Sequence, residues 1–353
     1  MTGEERIISA SRLMEFCQQA FQKAGMSAGD SRIVADTLVS ANLRGVDSHG
    51  VMRVPPYIRR LLDGGANPSP QVRAVRRGPS FVRLDGDCGL GLVVSVYAMK
   101  EAIALASQGG VGMAAVFNSD HFGAGAYYAM LALKHDMIGV AMTNAAAVMA
   151  LWGGKTPFMG NNPIAVAVPS GTELPIVLDM AVSKVAGGKI RLAVKKGTKI
   201  PLDWIIDKDG MATDDPKDFE AGGALLPLGI KGYGLGVIVE VLCGILSGAR
   251  MLNEIPLWFA NTAEPVGIGH FMMAINIDSF LPIQEFKDRI DQLVQRIHSA
   301  PRAPDVDRIY LPGEIEHLSE GERKAEGIPL PKAVYQDLLQ IGRELNVNTE
   351  KLG

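Results

Sequence analysis

The chain has few cysteines, no surplus of charge and no uninterrupted apolar run of membrane length. Its three cysteines, Cys17, Cys88 and Cys243, are far apart and match no CxxC spacing, which argues against a disulfide framework and favours a reducing compartment such as the cytoplasm. The 35 Lys and Arg against 38 Asp and Glu give a formal net charge of -3 over 353 residues. Neither nucleic acid nor an anionic membrane is therefore indicated as a partner, and we expect a small-molecule ligand.

The most apolar stretch covers residues 233–252, but it contains Glu240 and several glycines. A membrane-spanning helix rarely carries a charge together with so many small residues. The sequence predicts a buried helix here and no membrane span. Because 47% of the residues are hydrophobic, the chain can build a sizeable core in one large domain or two ordinary ones.

Hydrophobic periodicity predicts an alternation of helices and short strands. Apolar positions at helical spacing predict helices at residues 13–24 and 27–45, and later at 92–107, 125–134, 282–298 and 331–345. Short apolar runs predict strands at residues 81–85, 111–117, 137–142, 163–168, 175–180 and 271–277. Turn residues at 169–171 and 207–210 indicate hairpins. The predicted fold class is α/β, with a mixed, largely antiparallel sheet and flanking helices.

Several familiar motifs fail on inspection. Gly154-Lys155-Thr156 lacks the earlier glycine of a P-loop, since Met149 stands at that position. Gly123-Ala124-Gly125 is followed by Tyr128 where a dinucleotide fingerprint needs its third glycine. The six histidines show no HExxH spacing and no G-x-S-x-G elbow occurs, so we expect neither a metal site nor a serine hydrolase.

The segment after the second helix carries the first candidate site. Arg53 follows His49 by four residues, so a short helical turn places the imidazole and the guanidinium on one face. A guanidinium binds a carboxylate in a two-pronged manner, and a histidine can exchange a proton with a neighbouring oxygen. The alternative interpretation is a helix cap by Ser48 beside solvated side chains.

A second cluster, Asn118–Gly123, lies where the strand of residues 111–117 ends. Strand ends are where α/β proteins place their chemistry, and Asp120 can bias the protonation of His121. A structural role for His121 is an equally open alternative. The glycine-rich turns at 160–163 and 231–234 can expose backbone N–H groups to a phosphate, although ordinary turns have the same composition.

Seven segments in this order resemble one known family. They are Arg44-Gly45-Val46-Asp47-Ser48-His49-Gly50 with Arg53 and Tyr57, Asn118–Gly123, Thr143-Asn144 with Trp152-Gly153-Gly154, Gly160-Asn161-Asn162-Pro163, Leu178-Asp179-Met180-Ala181, Lys231-Gly232-Tyr233-Gly234 and Pro312-Gly313-Glu314. The chain resembles the malate/L-lactate dehydrogenase family of NAD(P)-dependent oxidoreductases over residues 9–345. That family also contains ureidoglycolate, sulfolactate and diketogulonate enzymes and cyclic imino-acid reductases.

The resemblance implies a non-Rossmann nicotinamide-binding fold, a small carboxylated substrate, a cytoplasmic location and a homodimer. It implies that either His49 or His121 moves the proton, that Arg53 binds the substrate carboxylate, and that Ser48 and Asn144 also bind the substrate. NAD or NADP is expected to contact a larger set: Leu178, Asp179, Met180, Ala181, Val182, Ser183, Lys184, Ile230, Lys231, Gly313, Glu314 and Ile315. We expect residues 76–299 to form a cofactor-binding core, and residues 1–75 to pack with residues 300–353 on the substrate side.

Three departures from the family pattern concern the cofactor and the substrate. Ala145-Ala146-Ala147 replaces a stretch that usually carries hydroxyls or proline, Gly187 stands where Arg is frequent, and Ile230 where His or Trp is frequent. The leading hypothesis is hydride transfer between nicotinamide and C2 of a small 2-hydroxy or 2-oxo acid. The alternatives are reduction of a cyclic imine 2-carboxylate, a non-catalytic NAD(P)-binding protein and a purely structural protein.

Overall fold

The computed structural model describes residues 5–352, without the side chains of Lys195 and Lys351. No helix in that range is both long and apolar enough to span a membrane. The α-helices of the described range are α1 (Ala10–Lys23), α2 (Ala28–Leu43), α3 (Val54–Leu62), α4 (Gly91–Gly109), α5 (Gly125–Leu131), α6 (Gly187–Lys196), α7 (Gly229–Glu240), α8 (Ile283–His298), α9 (Glu314–Glu326) and α10 (Lys332–Glu344).

The strands of this range form three sheets. They are β1 (Arg6–Ile8), β2 (Arg73–Arg77), β3 (Phe81–Asp85), β4 (Val111–Ser119), β5 (Met137–Thr143), β6 (Met149–Ala150), β7 (Pro157–Met159), β8 (Ile164–Val168), β9 (Ile176–Met180), β10 (Ile205–Ile206), β11 (Ala224–Leu225), β12 (Ile268–Asn276) and β13 (Ile328–Leu330). The central sheet has the order β2-β3-β4-β12-β5-β8-β9, a smaller sheet has the order β10-β11-β6-β7, and β1 pairs with β13.

The central sheet confirms the predicted mixed, largely antiparallel architecture. Strands β3 and β4 run parallel, and the other neighbours in this sheet are antiparallel. Helix α4 supplies the crossover that a parallel pair requires. Helices α4 and α5 cover one face of the sheet through a buried apolar cluster. The site lies at the ends of strands β4, β5 and β9.

The N-terminal helices form as their sequence predicts. Leu13, Phe16 and Cys17 lie on the buried face of α1. Ser27 accepts a hydrogen bond at 3.0 Å from the backbone N–H of Asp30 and so caps α2, a contact that contributes about 1 kcal/mol in such positions.

The two ends of the described chain share one apolar cluster. Leu13 of α1 and Leu338 and Ile341 of α10 are buried in the same cluster, and β1 pairs with β13. The division into a substrate-side part, residues 1–75 with 300–353, and a cofactor-binding core, residues 76–299, stays a prediction.

The expectation of a buried helix at residues 233–252 is wrong for one of its faces. Helix α7 continues into a π-helical segment, Val241–Ile245, and Glu240 lies on the buried side. On the other side Ile238, Ile245 and Leu246 are 54%, 60% and 56% exposed. Because both faces of this helix are apolar, its sequence pattern carries no polar stripe that marks the solvent side.

Several elements of the described chain have no counterpart in the sequence prediction, β2 and α9 among them. Strand β2 is exposed along its whole length, and its Arg-Ala-Val-Arg-Arg sequence has no alternating apolar face. Helix α9 buries Glu314, while its apolar residues Ile315 and Leu318 are exposed, so it lacks the buried apolar period that identifies a helix. Strand β2 forms by pairing with β3, its hairpin neighbour, whereas α9 packs against α2, which is distant in sequence.

Candidate active site

A cavity of about 340 Å³ lies at the ends of β4, β5 and β9. Helix α2, the turns that follow it and the first part of α6 complete the wall. Residues from every predicted site segment up to residue 181 contribute to it, among them Ser48, His49, Arg53, His121, Asn144 and Asp179. Ligand pockets in proteins commonly have volumes of roughly 300 to 1,000 Å³, so this cavity is large enough for a small organic molecule.

The His49 segment consists of two short 3-10 turns, Asp47–His49 and Val51–Arg53. Buried Asn42 holds them, since its side chain donates to Asp47 at 2.6 Å and accepts from the Val51 backbone N–H at 2.7 Å. A Cβ at Gly50 would lie 2.1 Å from the Asn42 Oδ1, so this position requires glycine. The turns carry His49 and Arg53 to the same cavity, as the spacing predicts.

His121 is fixed from several sides. Its Nδ1 lies 2.5 Å from the Tyr57 hydroxyl, and its ring stacks on Trp258 with the ring centroids 4.9 Å apart. The His49 ring stacks at 5.8 Å with an interplanar angle of 13°. No hydrogen bond from Nε2 to another described residue is found, so this nitrogen is available to a ligand.

Both imidazoles favour the neutral form. Burial, together with the nearby Arg53 charge, lowers the pKa of His49 to about 4. Burial lowers the pKa of His121 well below its usual value, and the charges of His49 and Arg53 act in the same direction. Burial raises the pKa of Tyr57, so its phenol stays protonated and can donate to the imidazole or accept from it.

A buried ion pair anchors the His121 backbone. The Arg60 Nε lies 2.7 Å from the Asp120 Oδ2 with both side chains almost fully buried, and the Asp120 Oδ1 accepts from the His121 N–H at 2.6 Å. Arg60 also donates to the carbonyls of Trp258 and Gly65 at 2.9 Å. Asp120 therefore contacts the backbone of His121 and not its imidazole, because the Asp120 carboxylate is paired with Arg60.

Arg53 lines the cavity, and part of its guanidinium is available to a ligand. Its Nε donates to the Ser48 carbonyl at 2.8 Å, and its Cζ lies 5.4 Å from the ring centroid of Trp258. The two terminal nitrogens form no hydrogen bond within residues 5–352. Burial lowers the pKa of Arg53 from its usual value, and an anion beside it would oppose this shift.

The residues predicted to contact the cofactor are split by the fold. Asp179, Met180 and Ala181 line the cavity at the end of β9. Asp179 accepts from the Ala126 N–H at 2.8 Å, and burial raises its pKa to about 6. The remaining members of the set lie outside the wall of this cavity: Leu178, Val182, Ser183, Lys184, Ile230, Lys231, Gly313, Glu314 and Ile315.

Some of those outlying residues have clear structural surroundings. Glu314 is buried, with its Oε1 2.7 Å from the His298 Nε2, while Lys184 pairs with Asp203 at 3.0 Å. Ile230, the second residue of α7, and Ile315, the second residue of α9, are exposed. Within a single chain these positions therefore do not meet His49 and His121.

The Asn144 side chain is fully used by the protein. Its amide nitrogen donates to Glu240 at 3.0 Å and to the Arg250 carbonyl at 2.9 Å, and its oxygen accepts from the Gly269 N–H at 2.9 Å. Buried Glu240 also accepts from Asn162 at 2.7 Å. Asn144 lines the cavity, but its side chain joins the end of β5 to α7.

Sequence reasoning missed several residues that shape the site. Trp258 and Arg191 lie in segments without a motif, and only the fold brings Arg191 to the cavity wall and Trp258 against the His121 ring. Arg60 carried a usable signal, because it follows Arg53 by seven residues and therefore lies on the same helical face. Tyr57 was part of the recognised motif, but its partner His121 is 64 residues away.

Comparison with known proteins identifies the family. The family model described as malate/L-lactate dehydrogenase matches residues 8–339. Malate dehydrogenase of Pyrococcus horikoshii is 40% identical over 349 residues, 96% of each chain, and its solved structure superposes with a TM-score of 0.90, 37% identity and 99% coverage of both chains. L-sulfolactate dehydrogenase of Methanocaldococcus jannaschii is 41% identical over 331 residues, covering 93% of this chain and 94% of the relative.

A further relative, (2R)-3-sulfolactate dehydrogenase (NADP(+)) of Chromohalobacter salexigens, is 33% identical over 335 residues, covering 94% of this chain and 97% of the relative. Fold and matches together define an oxidoreductase of the 2-hydroxyacid dehydrogenase class. The chain belongs to the malate/L-lactate dehydrogenase family, which confirms the resemblance found in its motifs.

Proposed function

We propose that this enzyme interconverts a small 2-hydroxy acid and its 2-oxo acid, with Arg53 holding the C1 carboxylate and His121 exchanging the proton of the C2 oxygen. The observation that carries the proposal is the meeting of a guanidinium with free terminal nitrogens and an imidazole with a free Nε2 in one cavity. An arginine fork matches a planar carboxylate, and its charge keeps an anionic substrate in place.

The wall near Asp179 suits a nicotinamide dinucleotide. The Asp179 carboxyl can accept from a ribose hydroxyl, and Arg44, buried and paired with Glu320 at 3.2 Å, brings positive charge for a phosphate. Met180, Ala181 and the backbone of Gly123–Gly125 complete this part of the wall. When bound, the cofactor supplies or accepts the hydride at C4 of its nicotinamide ring.

The proton moves at the His121 Nε2. In the reducing direction C2 of the oxo acid gains a hydride, and its oxygen takes the Nε2 proton of the protonated His121 imidazole, which becomes neutral. In the oxidising direction the neutral imidazole takes the hydroxyl proton as C2 loses the hydride. For Nε2 to exchange the proton, Nδ1 must carry the other hydrogen of the ring, and it then donates to the Tyr57 oxygen in both the neutral and the protonated state. Trp258 and His49 stack on the imidazole and keep it oriented.

A spectrophotometric screen tests the proposed function. NADH and NADPH are each combined with the enzyme and with pyruvate, oxaloacetate, sulfopyruvate, diketogulonate or piperideine carboxylate, and loss of the reduced cofactor is followed by absorbance. We expect turnover with at least one 2-oxo acid. Turnover with the cyclic imine alone would establish an imine reductase. Cofactor binding, seen by fluorescence, without turnover of any compound would establish a non-catalytic binding protein.

The lowered histidine pKa values predict the pH dependence of the oxidising direction. Because the base is the neutral imidazole, and its pKa lies well below 6.5, the active form is fully populated at neutral pH and is lost only as the pH falls through that lowered pKa. We expect kcat/KM for the hydroxy acid to stay flat from about pH 8.5 to about pH 6.5 and to fall in more acidic buffer. An essential group with a pKa of about 7 or higher would contradict the assignment.

We also propose that the enzyme is a homodimer. The exposed apolar side of α7 and of residues 241–246 lies beside a shallow groove that is lined by Phe81, Met113, Phe271 and Leu246. Continuous apolar surface of this kind commonly marks a protein interface. Light scattering should give twice the 37.7 kDa chain mass, and Ile245→Glu should shift the protein towards the monomer. A wild-type monomer at micromolar concentration would refute this.

The cytoplasmic location stays a prediction; Cys17, Cys88 and Cys243 are free thiols.

A further inference from the structure

A second guanidinium, that of Arg191 in α6, lines the same cavity as Arg53. Its Cζ lies 5.6 Å from the ring centroid of Phe259 and 6.0 Å from that of Phe219. Its Nε lies 3.4 Å from the Glu220 Oε1. The two terminal nitrogens have no hydrogen-bond partner among the residues that the structure describes, so four N–H donors are free for a ligand.

Two contacts place Arg191 at the substrate end of the cavity. Arg53 lies over Trp258, and Phe259 packs edge-on against Trp258 with a centroid separation of 5.6 Å, so the two arginines flank one aromatic pair. The first turn of α6 also approaches the His49 segment, since a Cβ built at Gly188 would lie 3.8 Å from the Ser48 Cβ. Ser48, Arg53 and Arg191 therefore surround the same part of the cavity.

The charges at this end are unbalanced. The pair of Arg191 with Glu220 is long, and the two side chains are 45% and 59% exposed, so it neutralises Arg191 only weakly. Burial is the main cause of the lowered pKa of Arg53, and the positive charge of Arg191 lowers it further. A substrate with one carboxylate neutralises one of the two cations, whereas a dianionic substrate neutralises both.

We infer that Arg191 binds a second anionic group on the substrate, a carboxylate or a sulfonate on the carbon chain beyond C2, and thereby sets specificity for dianionic 2-oxo acids. The inference rests on the proposed function and adds the substrate class to it. Arg53 and Arg191 then hold the two ends of the substrate, and C2 lies between them, beside His121.

The test compares Arg191→Met with the wild type on oxaloacetate, sulfopyruvate and pyruvate. Loss of charge-assisted hydrogen bonds should lower kcat/KM by about 10- to 100-fold for the two dianions, mainly through KM, and by less than about threefold for pyruvate. Arg191→Lys retains the charge and should recover part of the loss. The difference between oxaloacetate and sulfopyruvate shows which of the two anionic groups fits better.

Lys189→Met provides the matched control, because it removes a positive charge from an exposed position of the same helix outside the cavity wall. Equal losses for all three acids, together with a raised Kd for NADH in Arg191→Met, would overturn the inference and assign Arg191 to a cofactor phosphate. An unchanged preference would overturn it as well.

Binding keeps this test separate from the proposed function. If the wild type turns over none of the acids, the proposed function fails, but their affinity for the enzyme with bound NADH can still be measured by fluorescence. Tighter binding of oxaloacetate than of pyruvate, lost in Arg191→Met, would then still support the inference. Equal affinities would refute it.

Discussion

Replacing His121 by Ala lowers kcat for oxo-acid reduction by about 10²- to 10⁴-fold, the range that a positioned acid or base typically contributes. Tyr57, Trp258 and His49 hold the His121 imidazole in a fixed orientation, and its Nε2 is free to contact the substrate. Its loss removes the proton donor but leaves Arg53 and the Asp179 wall in place. Steady-state and single-turnover kinetics with saturating cofactor measure the effect.

The control for this prediction is the affinity for NADH, which should change little, because His121 is not among the residues proposed to hold the cofactor. His49→Ala provides the comparison, and we expect a smaller loss, since its Nδ1 contacts the neighbouring Ser48 at 3.0 Å and its ring supports that of His121. A larger loss in His49→Ala would transfer the role to His49. If neither variant loses activity in this range, the proton-transfer assignment is wrong.

Replacing Arg53 by Met should raise KM for the oxo acid steeply and lower kcat/KM by about 10²- to 10³-fold. Breaking one partner of a desolvated charge pair costs about 2 to 5 kcal/mol, and each 1.4 kcal/mol corresponds to a factor of 10. In the wild type the terminal nitrogens of Arg53 form no hydrogen bond with another described residue, so the substrate carboxylate is their expected partner. Initial rates over a wide range of substrate concentration give the two parameters separately.

Arg53→Lys is the informative companion, because an ammonium keeps the charge but loses the fork that matches a planar carboxylate, so its KM should be intermediate. The Arg53 Nε also donates to the Ser48 carbonyl and so stabilises the turn. Thermal unfolding and the Kd for NADH must therefore stay close to wild type for the kinetic reading to hold. A wild-type KM in Arg53→Met would place the carboxylate elsewhere.

The local elements of the fold follow from local sequence. Ser27 and the apolar faces of α1 and α2 predict these helices to within three residues at each end, because capping and amphipathic burial act within a few turns. The hairpin between β8 and β9 likewise follows from its turn residues. Strand β2 and helix α9 were missed because neither carries a buried apolar period of its own: β2 is stabilised by pairing with β3, and α9 by packing against the distant helix α2.

The site divides in a similar way. The four-residue spacing of His49 and Arg53 predicted that they share a face, and the strand end before His121 marked that residue for chemistry. The sequence does not predict that Arg60 neutralises Asp120 or that Tyr57 is the partner of the imidazole. These pairs join residues about 60 positions apart, and no local pattern encodes such a distance.

By its sequence alone, the chain determined its family, its alternation of helices and strands, and several of the residues that line the cavity, His49, Arg53 and His121 among them. The tertiary structure decided which charges remain free. Asp120 and Asn144 are spent on Arg60 and Glu240, whereas Arg53 and Arg191 keep donors for a ligand. The reason is physical: a side chain's availability depends on what surrounds it after burial, and packing brings together neighbours that are far apart along the chain.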